Sequence, residues 1–361
     1  MNNTNSSEPS GPLQADDELW QLVPIAVLIV ITNGVVFLLF GKLKSLRTPA
    51  NYFLLSLAIS DAMTGLINIP LFYVLSTLDE QNRYSVYCAS EVFHNVISYS
   101  VAYHITAIAV EKYMAVVNPF GRFLMTKKTV VKILSTVWLW SAILGTILVS
   151  WWSAWWHGEP LALYVQAGHN IFSLVAVFVI PYMFILYAYS TMFKAVSCKN
   201  RFKKSLDRKD PRAFKRANNE KKCLIILLTM AIAFAICWIP WFTLRLIYSL
   251  ASVGWIDFED LAFMEDASHV FIIIRYLSSA INPLLYTFFK QDFWNAFKVV
   301  VLKKQPRRPS ATLSMRQTIR IRGTGEQYQH RPDKRLIHIT EHQIHLLPEY
   351  CMAKLSTGVW K

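Results

Sequence analysis

Charge is what this sequence has little of. Only 17% of its 361 residues are Asp, Glu, Lys or Arg, against 54% hydrophobic and 14% aromatic, and the mean hydropathy is +0.31. A water-soluble chain this long exposes far more charge, so the deficit excludes an ordinary soluble protein and points to a bilayer as solvent. No internal repeat relates the two halves of the chain, which counts against a transporter built from paired units. Residues 1–19 contain no Lys or Arg. The first apolar run therefore has no basic region or small-residue cleavage site before it and is expected to stay as a span, not to act as a signal peptide.

What the chain has instead is apolar runs of membrane length, about 20 residues each. They lie near Trp20–Phe40, Tyr52–Val74, Val92–Val117, Val131–Trp152, Asn170–Met192, Cys223–Leu250 and Phe263–Phe289. These runs predict an all-α membrane protein with a seven-transmembrane helix bundle over residues 20–289. The amphipathic stretch "KQDFWNAFK" predicts a short membrane-surface helix over 290–302, and 303–361 reads as a disordered basic tail.

The gaps set the orientation. Residues 1–19 carry Glu8, Asp16, Asp17 and Glu18, whereas Lys42, Lys44 and Arg47 follow the first run and Arg122, Lys127 and Lys128 follow the third. The gap "CKNRFKKSLDRKDPRAFKRANNEKK" is heavily basic. Basic loops stay cytoplasmic, so the N-terminus is expected outside and the tail inside, in a multi-pass plasma-membrane protein. The net charge of +14 is then a topology and inner-leaflet signal. Its basic residues interleave with spans, so nucleic acid is not an expected partner. The sequons at Asn2 and Asn5 agree with an extracellular, glycosylated N-terminus. Of the five cysteines only Cys88 falls near the outer face, so no extracellular disulfide is expected.

Two helical faces carry chemistry. Residues 18 apart share a helix face about 27 Å apart along the axis. His94 is that far above Lys112, and Trp238 that far above Glu220. Lys112 and Glu220 pair across helices in one reading; in the other, Glu111 and Lys112 only anchor a helix at the headgroups. Asp61, alone in mid-membrane, requires partners, for which Asn33, Ser279 and Asn282 are the candidates. Pro240 and Pro283 interrupt helical runs, either as packing irregularities or as hinges whose freed carbonyls find other donors. Arg245 and Arg275 lie seven residues from Trp238 and Asn282 and face inward, near Glu91, His94 and Tyr276. They form either an internal ion pair with Glu91 or a site for an anionic or acceptor-rich ligand. The tryptophans of "WWSAWW" read as an interfacial aromatic belt.

Read in order, "TNGVVF", "LSLAISD", "EKY", "FVIPYMFILYAY", "FAICWIP" and "NPLLY" resemble the motifs of a rhodopsin-like (class A) G-protein-coupled receptor, from about Asn33 to Lys298. The resemblance implies a receptor and not an enzyme, with no catalytic residues and no metal centre. Its expected partners are an extracellular small-molecule or peptide ligand, a heterotrimeric G protein, an arrestin and the lipid bilayer. It implies a G-protein switch of Glu111, Lys112, Tyr113, Glu220, Tyr189 and Tyr286. Phe234, Trp238, Pro240, Asn282 and Pro283 become an activation hinge.

Asn33, Asp61, Ser279 and Asn282 become a polar network with a possible sodium ion, although Ser278 and Val101 stand where the family often has Asn and Ser. The alternative for Asp61 is a protonated carboxyl that ties helices together. Counting along the third span, the ligand position falls on His94 or Asn95. Neither is acidic, which disfavours an amine agonist, and Arg275-Tyr276 stands where an opsin has its lysine. Phosphorylation candidates are Ser310, Thr312, Ser314 and Thr318. The alternatives are a receptor-like protein with weak coupling, because Lys112 replaces the family's arginine, and, less favoured, a transporter or channel.

Overall fold

The computed structural model describes residues 21–117, 125–206, 211–257 and 262–304. Among them there is no strand. Seven long helices and one short amphipathic helix make the architecture: α1 (Leu22–Lys42), α2 (Pro49–Met63 and Ile69–Thr77), α3 (Glu80–Val117), α4 (Lys127–Thr146), α5 (Pro160–Ser173 and Ile180–Leu206), α6 (Pro211–Ser252), α7 (Ala262–Phe289) and α8 (Gln291–Val300). The segments of α2 and α5 are joined by π-helical turns at Thr64–Asn68 and Leu174–Val179. The helices close a ring, α1 on α2 and α7, α5 on α6, while α3 touches α2, α4, α5 and α6.

The bundle is apolar on the outside. Val27 and Ile31 of α1, Leu139 and Ile143 of α4, Met183 and Leu186 of α5, and Ile236 of α6 are all exposed. Such faces suit hydrocarbon and not water. The buried interior instead collects Asn33, Asp61, His94, Asn95, His104, Arg275 and Asn282. Six of the helices are apolar and long enough to cross a bilayer; the exception is α3. It is central, so its polar side chains meet protein on several sides. A buried polar residue is tolerated when neighbours satisfy it. His104 shows how: its Nε2 lies 2.7 Å from the Ser56 hydroxyl, which accepts from the Trp138 indole at 3.0 Å.

Helix boundaries differ from those read by hydropathy. α3, α5 and α6 start at Glu80, Pro160 and Pro211, well before Val92, Asn170 and Cys223. Hydropathy marks only the part of a helix that sits in hydrocarbon, whereas these helices continue into headgroups and water. Two glycines permit the closest approaches. A Cβ on Gly65 would stand 3.0 Å from Ala26 O, and one on Gly145 would stand 2.7 Å from the Val96 backbone nitrogen. α1 and α2, and likewise α3 and α4, meet backbone to backbone at these points.

The segments 1–20 and 305–361 lie outside the described residues, and with them Asn2, Asn5, Ser310, Thr312, Ser314 and Thr318. α8 turns along the base of the bundle. Phe293 seats it, with its ring 5.9 Å from Phe40 and 5.3 Å from Tyr286.

Candidate functional site

A cavity of about 460 Å³ opens at one end of the bundle, between α2, α3, α5, α6 and α7. Glu91, His94, Arg245 and Arg275 line it, as do Trp152 and Trp155 from the connection before α5. Asn95 is buried but is not on that lining. The structure therefore selects His94 of the two registers. Tyr276, fully buried behind the wall, accepts a hydrogen bond from Arg275 Nη2 at 2.9 Å.

The two arginines differ. Arg245 Nη1 lies 2.6 Å from Glu91 Oε2, an ion pair that ties α6 to α3. Arg275 has no carboxylate partner among the described residues. Its guanidinium stacks on Trp241, 3.9 Å from the ring centroid, and lies 4.6 Å from that of Tyr276. Its Nη1 is 3.4 Å from His94 Nε2, which also accepts from the Trp241 indole at 3.0 Å. A nitrogen that accepts is unprotonated, so His94 is neutral and its Nδ1 carries the proton. Both His94 Nδ1 and Arg275 Nε are buried without a hydrogen-bond partner.

The belt assigned to the "WWSAWW" tryptophans is corrected here. Trp152 is buried, and Trp152, Trp155 and Trp156 pack on Tyr84 and Tyr87 of α3. Ring contacts with Tyr84 and Tyr87 accompany the inward turn of Trp152, while the neighbouring Trp151 indole donates to Gln166 Oε1 at 2.8 Å. Sequence composition records only that tryptophans are present, not which way the connection folds. The thiol of Cys88, on the same part of α3, is free. Aromatic packing joins the connection to α3 at this place.

Below the cavity, Trp238 is fully buried with its ring 5.5 Å from those of His94 and Phe234. Its indole donates to Ser278 Oγ at 2.8 Å, and Ser278 in turn donates to Arg275 O at 2.7 Å. One chain of contacts thus runs from Arg275 to a tryptophan two residues before Pro240, inside α6. Pro283 sits likewise inside α7.

Deeper still, Asp61 is fully buried and accepts from Asn282 Nδ2 at 3.1 Å. Asn33 does not reach it; the Asn33 amide donates to Ile29 O and Ser279 O, at 2.9 and 3.1 Å. The Ser279 hydroxyl points to Thr64 at 3.4 Å. Of the three candidate partners, Asn282 and Ser279 bond to Asp61, Asn282 at 3.1 Å, and Asn33 does not. Asn33 Oδ1 and Asn282 Oδ1 are buried without partners. The Asp61 carboxyl and these two amide oxygens are the oxygen groups that the interior offers to a hard cation here. Val101 adds no oxygen, and Ser278 is engaged with Trp238.

At the opposite end of the bundle, Lys112 Nζ lies 2.8 Å from Glu111 Oε2. Glu220 is within α6, and its side chain, with the expected pairing to Lys112, lies outside the described residues. Tyr113 faces α5, its ring 6.3 Å from Tyr187. Tyr189 and Tyr286 are both buried, and the Tyr286 hydroxyl has no partner. Sequence reasoning missed Lys290, which donates to Asn51 Oδ1 just before α8. Burial first, and then the charge of Lys112, push its pKa down to about 8. A lysine at the start of an amphipathic surface helix carries no sequence signal of such burial.

Known proteins place this architecture. The family described as 7 transmembrane receptor (rhodopsin family) matches residues 32–286. Neuromedin-U receptor 2 of Homo sapiens is 28% identical over 299 residues, covering 77% of this chain and 70% of that protein. The substance-P receptor of Homo sapiens is 25% identical, covering 82% and 74%. Medium-wave-sensitive opsin 1 of Sciurus carolinensis is 23% identical, covering 83% and 85%. Squid rhodopsin shares the fold with a TM-score of 0.67 at 17% identity, over 83% of this chain and 90% of that one. With its ring of seven helices and a match that spans most of them, the chain belongs to the rhodopsin family of seven-transmembrane receptors.

Proposed function

We propose that this receptor takes its extracellular ligand in the cavity of α2, α3, α5, α6 and α7 and passes the signal to a heterotrimeric G protein. The observation that carries the reading is the contact from the cavity wall to Trp238: the His94 ring lies 5.5 Å from it, and Ser278 bridges its indole to the main-chain carbonyl of Arg275. A ligand that moves Arg275 or His94 moves the tryptophan seated beside Pro240. Its stack with Phe234 carries that motion towards the cytoplasmic half of α6. There Tyr189, Tyr286 and Lys112, released from Glu111, form the surface that meets the G protein. Trp238→Ala, measured by second-messenger output in cells expressing equal surface receptor, is expected to abolish ligand-driven signalling. Full signalling by that variant overturns this route.

Residues Asn2 and Asn5 as outward-facing glycosylation sites belong to the same proposal, as does an arrestin recruited by phosphorylation at Ser310, Thr312, Ser314 and Thr318. So does a sodium ion held by Asp61 with the amide oxygens of Asn33 and Asn282, which stabilises the inactive state. Asp61→Asn is expected to abolish sodium dependence of agonist affinity. Sodium dependence equal to that of the wild type leaves Asp61 as a tie between α2 and α7.

The relatives include receptors named for peptides and an opsin. A peptide ligand agrees with a lining that offers Glu91, Arg245, Gln166 and Asn170 to polar groups. A retinal pigment is disfavoured by Arg275 and Tyr276 at the position of the opsin lysine.

A further inference from the structure

Among the described residues the charge balance of the cavity is incomplete. Two guanidinium groups line it against one carboxylate, Glu91, which is paired with Arg245. The rest of the polar lining, Asn68, Gln166 and Asn170 as well as the tyrosines, serines and His94, brings no negative charge. Arg275 is 3% exposed. A buried cation without an anion is costly, and the cost stays with the protein until something supplies the opposite charge. Most of the N–H donors of Arg275 are uncommitted, since its partners are the Tyr276 hydroxyl and a long contact to His94. Two further observations show that the lining calls for an acceptor. Arg275 Nε and His94 Nδ1, both in side chains on the lining, are buried donors that no group among the described residues satisfies.

Resting on the reading of this cavity as the ligand site, we infer that it takes an organic carboxylate on an apolar body, with Arg275 as its counter-ion. A single carboxylate matches the one unbalanced positive charge; a phosphate monoester carries close to two negative charges at neutral pH and overshoots it. The planar guanidinium fork binds both oxygens of a carboxylate, which a lysine's point charge does not do. Trp241 and Tyr276 hold the guanidinium by its faces, which leaves its hydrogen-bearing edge for the ligand. Phe72, Leu75 and Leu244 supply the apolar wall for the rest of the molecule. A cavity of about 460 Å³ suits a small organic acid or the last residues of a peptide with a free C-terminus. Glu91 then has the role of discriminating: by committing itself to Arg245, it leaves Arg275 to the ligand and repels a dianion.

The test uses the full receptor in nanodiscs and follows its thermal unfolding. Probes are benzoate, indole-3-acetate and octanoate, each beside its carboxamide, and short peptides ending in tryptophan or leucine with a free or an amidated C-terminus. The acids are expected to raise the unfolding temperature and to bind roughly tenfold tighter than the paired amides, a difference of one bidentate charge-assisted contact. Arg275→Gln is expected to erase the difference between acid and amide while leaving the unfolding temperature without probe unchanged or higher. Should that variant fail to fold, the acid-to-amide comparison on the natural protein still decides. Shifts confined to the organic acids identify a small-molecule site, and shifts confined to free-ended peptides identify a peptide terminus. Equal shifts by acid and amide overturn the carboxylate and keep the cavity as a ligand site. No shift from any probe overturns both.

Discussion

At the cavity end of the bundle Arg245 is neutralised across helices, by Glu91 of α3 at 2.6 Å; at the opposite end Lys112 is neutralised by Glu111, its own neighbour in α3, at 2.8 Å. The first pair fastens α6 to α3. Among the described residues the second fastens α3 to nothing, because both partners ride on one helix. An ion pair resists separation only of the elements that carry its two ends. The cavity pair therefore resists separation of α3 from α6, while the Glu111–Lys112 pair by itself resists the separation of no two helices. That division suits a protein that senses at one end and responds at the other.

The largest effect expected from breaking this contrast comes from Glu91→Gln. It leaves Arg245 buried and unpaired, at a cost on the order of 3 kcal/mol. The unfolding temperature of the purified receptor is expected to fall well below that of the wild type. An unchanged value means that water reaches Arg245 and that the pair at the cavity fastens nothing. Arg275→Gln, by contrast, removes a guanidinium that has no counter-ion among the described residues. Potency of a carboxylate ligand is expected to drop by roughly tenfold, the worth of one bidentate charge-assisted contact, with surface expression intact. Loss of expression in its place assigns Arg275 to the fold and not to the ligand.

At the opposite end the expected changes are smaller. Lys112→Arg supplies the multidonor fork that lysine lacks and is expected to raise maximal second-messenger output a few-fold, about 1 kcal/mol. Glu220→Ala is expected to raise basal output if that carboxylate also restrains Lys112. A silent or damaging Lys112→Arg, with normal folding, shows that the lysine is matched to its own partner and sinks the idea of a weak grip.

The smallest effect concerns Lys290. Its pKa is lowered to about 8 by burial, so between about pH 8 and its ordinary value of 10.5 the unfolded chain holds a proton that the folded one has released. Stability is then expected to rise with pH across that window in the natural protein. Thermal unfolding of Lys290→Met over the same window is expected to lack that component. Identical slopes in the two proteins remove the buried lysine from the account.

Much of this is legible from the order of residues. Asp61, Trp238, Asn282 and Tyr286 are all buried, and the interior position of each follows from its spacing on an amphipathic or motif-bearing run. Less legible are the helix ends. Residues 80–91 and 160–169 belong to α3 and α5 beyond the apolar stretches, because backbone hydrogen bonding does not stop at the edge of the hydrocarbon. The tryptophan connection cannot be read from composition, which is blind to direction; only contact with Tyr84 and Tyr87 turns Trp152 inward.

The sequence by itself determined the number of helices and the inward face of both arginines. These are one-dimensional properties: apolar length and a period of 3.6 residues. It left open whether Glu91 serves an arginine or the arginines serve a ligand, and which of His94 and Asn95 faces the cavity. The tertiary structure gave Glu91 to Arg245, at 2.6 Å, and put His94 and not Asn95 on the cavity wall, while Arg275 stands among aromatic faces without a carboxylate from the described residues. The physical reason is that an ion pair depends on a distance of a few ångströms between side chains on different helices. Spacing along one helix carries no information about that distance; only the packing of α3, α6 and α7 against one another sets it.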